Sequence, residues 1–245
     1  MGNARPDSLF AYAVEEFDSN SAIYQSELPR LVSVASAPRL NSWQYLGVKR
    51  AIDIVVGTLM IVVCLLPGLF IAALIMLTSR GPVFYREVRI GKNGTPFRIW
   101  KFRSMQHLNV LHGQFDSVAC PQSRSRWRTE KDVQDPRITP VGRFLRRCSL
   151  DELPQLFNVL RGEMSLVGPR PVVRAELPLY QHQLSFYLAA TPGISGLWQV
   201  SGRSNINFPK RANLDALYVR SWSLLGDFVI LARTVPAVLN RVGAR

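Results

Sequence analysis

Residues 51–77 read AIDIVVGTLMIVVCLLPGLFIAALIML, an apolar run whose one charged residue is Asp53. A bilayer crossing takes about 20 apolar residues, so this run is long enough to enter a membrane. A buried helix of a soluble protein is the alternative, and a run of this length disfavours it. The stretch therefore predicts a membrane-inserted segment.

Pro67 lies in the middle of the run and bears on how the segment enters the membrane. Proline removes a backbone donor and clashes with the preceding helical turn, so a kink is expected. Basic residues flank the run on both sides, namely Lys49, Arg50, Arg80, Arg86 and Arg89. Such flanks favour the cytoplasmic face. Two half-helices of about 13 residues would each rise only about 20 Å. A helix that breaks and returns, and a kinked helix that spans, both fit the residues.

The charge of the chain predicts an anionic partner. Its 245 residues include 30 Lys and Arg against 17 Asp and Glu, for a formal net charge of +13. Nucleic acid, anionic lipid headgroups and phosphorylated small substrates all meet that requirement. The three cysteines have no paired spacing, so neither a disulfide framework nor a zinc site is expected.

The rest of the chain predicts a small domain with several helices and one hairpin. Residues 1–42 are mixed in character and are expected to form a loosely ordered tail. Residues 82–103 alternate apolar and basic residues around Gly91-Lys92-Asn93-Gly94, which predicts a β-hairpin. Helices are expected at the end of 135–147 and over 151–161, 174–190 and 209–220, and loops over 106–134, 165–171 and 191–203. Residues 221–241 fit an interfacial helix or a core helix equally well.

The segment RFLRRCSLDELPQLFNVLRGEMSLVGPRP, residues 143–171, carries the acidic pair Asp151-Glu152. Pro154 is tolerated only in a first helical turn, so a helix is expected to begin with Asp151 or a neighbour as its N-cap. Ser149 and Glu152 also match the Ser-x-x-Glu capping box. A purely structural, capping role for the two acids is therefore the competing interpretation.

The arginines around the acidic pair favour a chemical role. Five of them lie within twenty residues of it: Arg143, Arg146, Arg147, Arg161 and Arg170. Surplus guanidinium groups beside a helix N-terminus are typical of a phosphate site. The same cations are expected to keep Asp151 ionised, as a carboxylate nucleophile requires. Carboxylates next to bound phosphates also suit Mg²⁺. The P-loop and dinucleotide-binding motifs are absent from the sequence.

Four motifs in this order resemble those of the bacterial sugar transferase family, the monotopic polyprenyl-phosphate hexose-1-phosphate (phosphoglycosyl) transferases. They are KFRSM at 101–105, DPRITPVGRFLRR at 135–147, SLDELPQLFNVLRGEMSLVGPRP at 149–171 and PGISGLWQVSGR at 192–203. The resemblance extends from about Lys49 to about residue 235.

The resemblance implies a reaction and a location. Family members transfer a sugar-1-phosphate from a UDP-sugar to undecaprenyl phosphate and release UMP. They work at the cytoplasmic face of the bacterial inner membrane. The chain is similar to the short members that initiate exopolysaccharide synthesis, whose usual donors are UDP-galactose or UDP-glucose. The implied partners are these two substrates and the lipid bilayer, with no nucleic acid, and a homodimer stays open.

The resemblance also implies roles for individual residues. Asp151 would be the nucleophile that forms a phosphosugar intermediate, and Glu152 would assist metal or proton handling. The implied cofactor is Mg²⁺, held by Asp151 with Glu152. The phosphate-binding residues would be Lys101, Arg146 and Arg170. The apolar segment would be re-entrant, with its break at Pro67, where Leu66 replaces the serine that many members have.

These expectations define a fold class and two rival functions. The predicted fold is mainly α with a small β-hairpin (α+β), divided into a tail (1–42), a re-entrant membrane helix (43–80) and a cytoplasmic-face catalytic domain with interfacial helices (81–245). One rival is a basic membrane adaptor without catalysis, which would not need acids inside its basic cluster. The other is a two-metal phosphatase, which needs more carboxylates and histidines than residues 143–171 offer.

Overall fold

The computed structural model of the chain describes residues 42, 44–106, 137–202 and 206–239. The predicted tail and the predicted loop of 106–134 fall almost entirely outside these residues. The helices are α1 (Arg50–Thr78), α2 (Pro140–Arg147), α3 (Gln155–Arg161), α4 (Leu184–Ala189), α5 (Leu197–Val200), α6 (Phe208–Ser221) and α7 (Leu224–Leu239). The strands are β1 (Phe84–Ile90), β2 (Pro96–Phe102), β3 (Ser165–Val167) and β4 (Gly193–Ser195). A π-helical turn, Gln44–Lys49, leads into α1, and 3₁₀ segments cover Lys92–Gly94, Leu150–Glu152 and Arg174–Gln183. The described fold is mostly helical with two small sheets, as the α+β prediction expected.

Helix α1 contains the apolar run and is largely uncovered. Its most apolar 18-residue window has a mean hydropathy of 2.9, and 11% of that window is buried. Leu66, near the centre, is 76% exposed. An apolar surface of this size on a single helix fits a membrane anchor. The helix continues on both sides of Pro67, so no interruption is seen there, and the re-entrant path stays a prediction.

The first part of α1 is fastened to the domain by polar contacts. The Arg50 guanidinium donates to the carbonyl oxygens of Val159 at 2.6 Å and Leu160 at 2.7 Å, near the C-terminus of α3. The Val159 carbonyl also accepts from the Gly162 N–H at 3.0 Å at the end of α3. A cation near the last carbonyls of a helix is favoured by the helix dipole. The buried Asp53 carboxylate accepts from the Leu166 backbone N–H at 3.1 Å.

The last part of α1 contacts the same domain. Ile71 and Ile75 are buried in a cluster with Phe102 of β2 and Leu145 of α2. The Arg103 guanidinium donates to the carbonyl oxygen of Ser79 at 2.8 Å, just beyond the end of the helix. The domain therefore holds α1 on both sides of its exposed centre.

A buried ion pair joins the start of α1 to α7. The Lys49 Nζ lies 2.6 Å from the Asp227 Oδ2. Tyr218 and Trp222 also donate to the Asp227 carboxylate, at 2.9 and 3.1 Å. A buried charge needs such partners, because an unpaired one is strongly destabilising. This network fixes α7 beside the membrane helix.

Helix α7 combines features of the two interpretations offered for residues 221–241. Asp227 and Ile230 are buried against the domain, whereas Leu225 and Val235 are 74% and 59% exposed. The helix is therefore part of the core on one side and presents apolar residues to the surroundings on the other.

The predicted hairpin is confirmed. Strand β1 pairs antiparallel with β2, with Phe84 opposite Phe102 and Ile90 opposite Pro96. In the turn, Asn93 and Gly94 have φ values of 57° and 75°. Asparagine and glycine are the residues that adopt this left-handed region at low cost.

Two predicted loops instead contain a second sheet. Strand β3 pairs parallel with β4, within the segments 165–171 and 191–203. Three-residue strands are too short to show a periodic pattern, and their pairing depends on a partner distant in sequence. A Cβ atom on Gly168 would lie 2.3 Å from the Thr191 carbonyl oxygen, and one on Gly193 would lie 2.0 Å from the Gly168 nitrogen. Both glycines are therefore required by close backbone approach. The predicted helix 174–190 is likewise a 3₁₀ segment that contains Gln181 with a φ of 48°, followed by the short α4.

Candidate active site

The acidic pair lies in a 3₁₀ turn between α2 and α3, which corrects the predicted helix start. Helix α3 begins only at Gln155, with Pro154 at its N-cap position. Ser149 has a φ of 55°, and its side chain caps nothing, so the predicted capping box does not form. The left-handed Ser149 lies between α2 and the 3₁₀ turn. Asp151 and Glu152 are therefore not used for capping.

The pair opens into a cavity of about 620 Å³. This volume falls in the usual range for small-molecule sites. The predicted site residues Asp151, Glu152, Lys101, Arg146 and Arg170 all line it. The structure thus brings together residues from β2, α2, the 3₁₀ turn and the loop after β3. Pro67 lies outside the cavity, on the exposed part of α1.

Glu152 is held as an anion by two of the predicted cations. The Lys101 Nζ lies 2.8 Å from its Oε1, and the Arg170 Nη2 lies 3.6 Å from the same atom. Burial alone would raise the pKa of Glu152, but Lys101 and Arg170 outweigh it and lower the pKa to about 2. Glu152 therefore stays ionised at neutral pH and orients both cations in the cavity.

Asp151 differs sharply from its neighbour. Asp151 is 8% exposed. Its side chain makes no hydrogen bond or ion pair within the described part of the chain. Burial, followed by repulsion from Glu152, raises the pKa of Asp151, although Lys101, Arg146 and Arg170 act in the opposite direction. The predicted cations thus act as expected on Asp151, but burial outweighs them. The result is a poorly solvated carboxyl group with free oxygens.

Only two of the five arginines noted in the sequence line the cavity. Thr139 caps α2 by accepting from the Gly142 N–H at 2.9 Å, and a Cβ on Gly142 would lie 1.9 Å from the Ser104 carbonyl oxygen. Helix α2 therefore packs closely against Ser104, and the Arg146 Nε donates to the Ser104 Oγ at 2.9 Å. The remaining three, Arg143, Arg147 and Arg161, are exposed elsewhere.

A buried asparagine positions Lys101. The Asn158 Oδ1 accepts from the Trp100 N–H at 3.0 Å, and its Nδ2 donates to the Arg98 carbonyl oxygen at 2.8 Å. These bonds fix β2 against α3, so Lys101 is held next to Glu152. Sequence reasoning missed Asn158, because nothing distinguishes it from an ordinary helix residue until β2 packs against it.

Three further cavity residues were also missed as site residues: Trp198, Gln199 and Arg211. The Arg211 guanidinium lies 4.6 Å from the centroid of the Trp198 ring. Burial, and then the nearby Arg170, lower the pKa of Arg211. Trp198 and Gln199 belong to the motif at 192–203, which contributed to the family resemblance, but no role was assigned to its residues. Arg211 offered only its charge.

The donor set fits magnesium better than a transition metal. No group of three or more His, Cys, Asp or Glu side chains is placed so that it could hold a metal ion in the described ranges 44–106, 137–202 and 206–239. Mg²⁺ does not need one, because it takes one or two carboxylates and completes its shell with phosphate and water. Asp151 has free oxygens for this role, whereas Glu152 is already paired with Lys101.

Comparison with known proteins identifies the family. A family model described as bacterial sugar transferase matches residues 43–241. The chain belongs to the bacterial sugar transferase family. It is 46% identical over 193 residues to the exopolysaccharide production protein ExoY of Sinorhizobium fredii, covering 78% of this chain and 84% of that protein.

Two longer relatives agree with this assignment. The UDP-galactose-lipid carrier transferase of Erwinia amylovora is 46% identical over 199 residues, which is 80% of this chain and 41% of that protein. The undecaprenyl-phosphate galactose phosphotransferase of Salmonella typhimurium is 46% identical over 200 residues, again 80% and 41%. This sugar transferase thus spans about four-tenths of these two relatives. Membership confirms a transferase, and the exposed α1 agrees with membrane association.

Proposed function

We propose that this sugar transferase moves a hexose-1-phosphate from UDP-galactose or UDP-glucose to undecaprenyl phosphate and releases UMP, as the first step of exopolysaccharide synthesis. One observation carries the proposal. The unpaired, buried carboxyl group of Asp151 lies in a cavity with Lys101, Arg146 and Arg170. The names of two relatives, which mention galactose and a lipid carrier, support the substrate classes.

The proposed chemistry has two balanced steps. A carboxylate oxygen of Asp151 attacks the phosphorus that bears the sugar. An Asp–O–P bond forms, the phosphoanhydride bond breaks, and UMP leaves with the bridging oxygen. A phosphate oxygen of undecaprenyl phosphate then attacks the same phosphorus, the Asp–O–P bond breaks, and the carboxylate is regenerated. Covalent catalysis divides one difficult transfer into two easier ones.

The environment of Asp151 suits both parts of that cycle. A poorly solvated carboxylate without a hydrogen-bond partner is a better nucleophile than a solvated one, because it has less stabilisation to lose. The three cations face the position where the diphosphate charge would lie, and guanidinium groups bind phosphate oxygens bidentately. Glu152 keeps Lys101 and Arg170 in place through contacts of 2.8 and 3.6 Å.

Magnesium would be held by Asp151, with Glu152 nearby. When bound, Mg²⁺ would neutralise charge on the diphosphate and on the leaving phosphate. It would also relieve the repulsion between the two acids that contributes to the raised pKa of Asp151. Lys101, Arg146 and Arg170 bind and orient the phosphates around it.

We further propose that α1 is re-entrant and that the domain lies on the cytoplasmic face. The support is that residues near both ends of α1, Asp53 and Ile75, contact one domain. That domain carries many charged side chains, and such residues are costly within hydrocarbon. This arrangement supports a topology in which both ends of α1 lie on one side of the bilayer and the exposed centre near Leu66 is inserted. Pro67 provides the weak point for the bend.

Cysteine labelling tests this topology. In a background without native cysteines, Leu46→Cys and Tyr85→Cys replace residues that are 55% and 52% exposed. Both positions should react with an impermeant maleimide in inverted membrane vesicles, and neither should react in spheroplasts. Labelling from opposite sides would establish a spanning helix.

The reaction itself is tested by its products. The purified chain in nanodiscs, given UDP-galactose or UDP-glucose with undecaprenyl phosphate and Mg²⁺, should release UMP and form a lipid diphosphate sugar. Release of UDP would mean that the sugar alone is transferred, which would overturn the proposal. A comparison across UDP-sugars identifies the preferred donor.

A further inference from the structure

The cavity that contains Asp151 is also lined by apolar residues of the two helices that expose apolar faces. They are Met60 of α1 and Leu231, Ala237 and Val238 of α7. The same cavity contains the acidic pair and its cations. A single cavity thus combines an anion site with an apolar wall, formed by these four residues.

The apolar wall lies between two helices whose outer faces are themselves apolar. On α1, Val63 is 67% exposed, and on α7, Leu225 is 74% exposed. The Lys49–Asp227 pair, at 2.6 Å, holds the two helices side by side at one end. The wall is therefore built from the same two helices that expose apolar faces suited to lipid.

Among the residues of α7 that line the cavity, Thr234 is the polar one, and its hydroxyl hydrogen is already used. The Thr234 hydroxyl donates to the Ile230 carbonyl oxygen at 2.7 Å and lies 2.5 Å from the Ser195 Oγ. A nucleoside or a hexose needs several polar partners, because its buried polar groups are costly when unpaired. Gln199 and Arg211, which also line the cavity, are better suited to those groups.

We propose that the wall formed by Met60, Leu231, Ala237 and Val238 binds the first isoprene units of the acceptor lipid and so aims its phosphate at Asp151. The inference rests on the proposed function and adds the location of the acceptor chain. An anionic head on a long apolar tail is the ligand whose two halves match the two kinds of lining, the cations and the apolar wall. The remaining isoprene units of the acceptor continue between α1 and α7 into the bilayer.

A pair of matched substitutions on α7 tests the wall. Ala237 lines the cavity, whereas Ala232 lies on the exposed side of the same helix. Ala237→Trp should raise the KM for undecaprenyl phosphate by about tenfold or more, since an apolar pocket discriminates strongly on volume. The burst of UMP released before acceptor is added should stay within about twofold of wild type, because the donor does not use the wall. Ala232→Trp should change neither quantity.

A second pair removes apolar character without adding bulk. Val238→Thr places a hydroxyl in the wall and should raise the acceptor KM by roughly threefold. Val235→Thr, at a position that is 59% exposed, should leave it unchanged. This second pair tests the same inference if the Ala237→Trp variant folds poorly.

Acceptor length distinguishes the first isoprene units from the distant tail. With a three-isoprene prenyl phosphate, the Ala237→Trp effect should persist. Loss of the effect with this short acceptor, or equal KM values in Ala237→Trp and Ala232→Trp, would overturn the inference. A slowed UMP burst in Ala237→Trp with an unchanged acceptor KM would assign the wall to the donor instead. The absence of UMP release by the wild-type chain would refute the proposed function itself, which is a separate result.

Discussion

Asp151→Asn should reduce UMP release from the UDP-hexose by about 10⁴-fold or more, the scale seen when a nucleophile is removed. The amide has nearly the same shape as the carboxyl group but no ionised oxygen to attack phosphorus. The measurement is the burst of UMP in the absence of acceptor, followed by turnover when undecaprenyl phosphate is added. Full activity in this variant would refute the role of Asp151 as the nucleophile.

The free energy of unfolding, measured as a function of pH, is the control for Asp151→Asn. Burial raises the pKa of Asp151, so the folded state binds its proton more tightly than the unfolded state does. Ionisation of Asp151 therefore costs stability above its unfolded pKa, and the cost is absent at lower pH, where both states are protonated. Asp151→Asn should accordingly be as stable as wild type in acid and more stable at neutral pH. Lost activity in a destabilised protein would instead point to misfolding.

Glu152→Gln should lower UMP release by about 10²–10³-fold, because Lys101 and Arg170 lose the carboxylate that positions them. The residual activity should have a shifted pH profile. Glu152 is the second cause, after burial, of the raised pKa of Asp151. Its neutralisation should lower that pKa, so the acid limb of the UMP-release profile should move to lower pH at fixed Mg²⁺ concentration. An unmoved acid limb would contradict the proposed coupling of the two acids.

The stability of Glu152→Gln has the opposite pH dependence to that of Asp151→Asn. The pKa of Glu152 falls from an ordinary 4.5 to about 2 in the folded state. Its ionisation therefore stabilises the fold above pH 4.5, and this contribution is lost as the pH falls towards 2. Glu152→Gln should be less stable than wild type at neutral pH, with the difference shrinking in acid. A matched variant outside the cavity, Glu87→Gln, should keep near-normal UMP release.

Local patterns of the sequence were sufficient for several parts of the structure. The membrane helix follows from the length of an apolar run whose one charged residue, Asp53, lies near its start. The hairpin follows from alternation around a turn whose Asn93 and Gly94 accept positive φ. The two acids and three cations of the cavity came from the resemblance of short motifs to a family. Each of these features is encoded by neighbouring residues, or by residue types whose role does not depend on a distant partner.

The start of the helix near the acidic pair could not be predicted from local sequence patterns. Ser149 and Glu152 satisfy the capping pattern, yet Ser149 is left-handed, and Glu152 bonds to Lys101 of β2 instead. A side chain that can cap a helix will leave that role when tertiary packing offers a charged partner. Glu152 therefore lines the cavity instead of capping a helix because its partner, Lys101, lies on a strand 51 residues earlier in the chain.

The acidic pair inside an arginine cluster and the membrane segment were predicted from the sequence itself, by residue types and spacing, whereas the choice of Lys101, Arg146 and Arg170 came from the family resemblance. Tertiary structure alone decided that β3 pairs with β4 and that Arg211 and α7 complete the lining of the cavity. It also decided the contrast between the acids, with the pKa of Asp151 raised and that of Glu152 lowered to about 2. Burial and the approach of charges from distant segments set these properties, and neither quantity exists until the chain has folded.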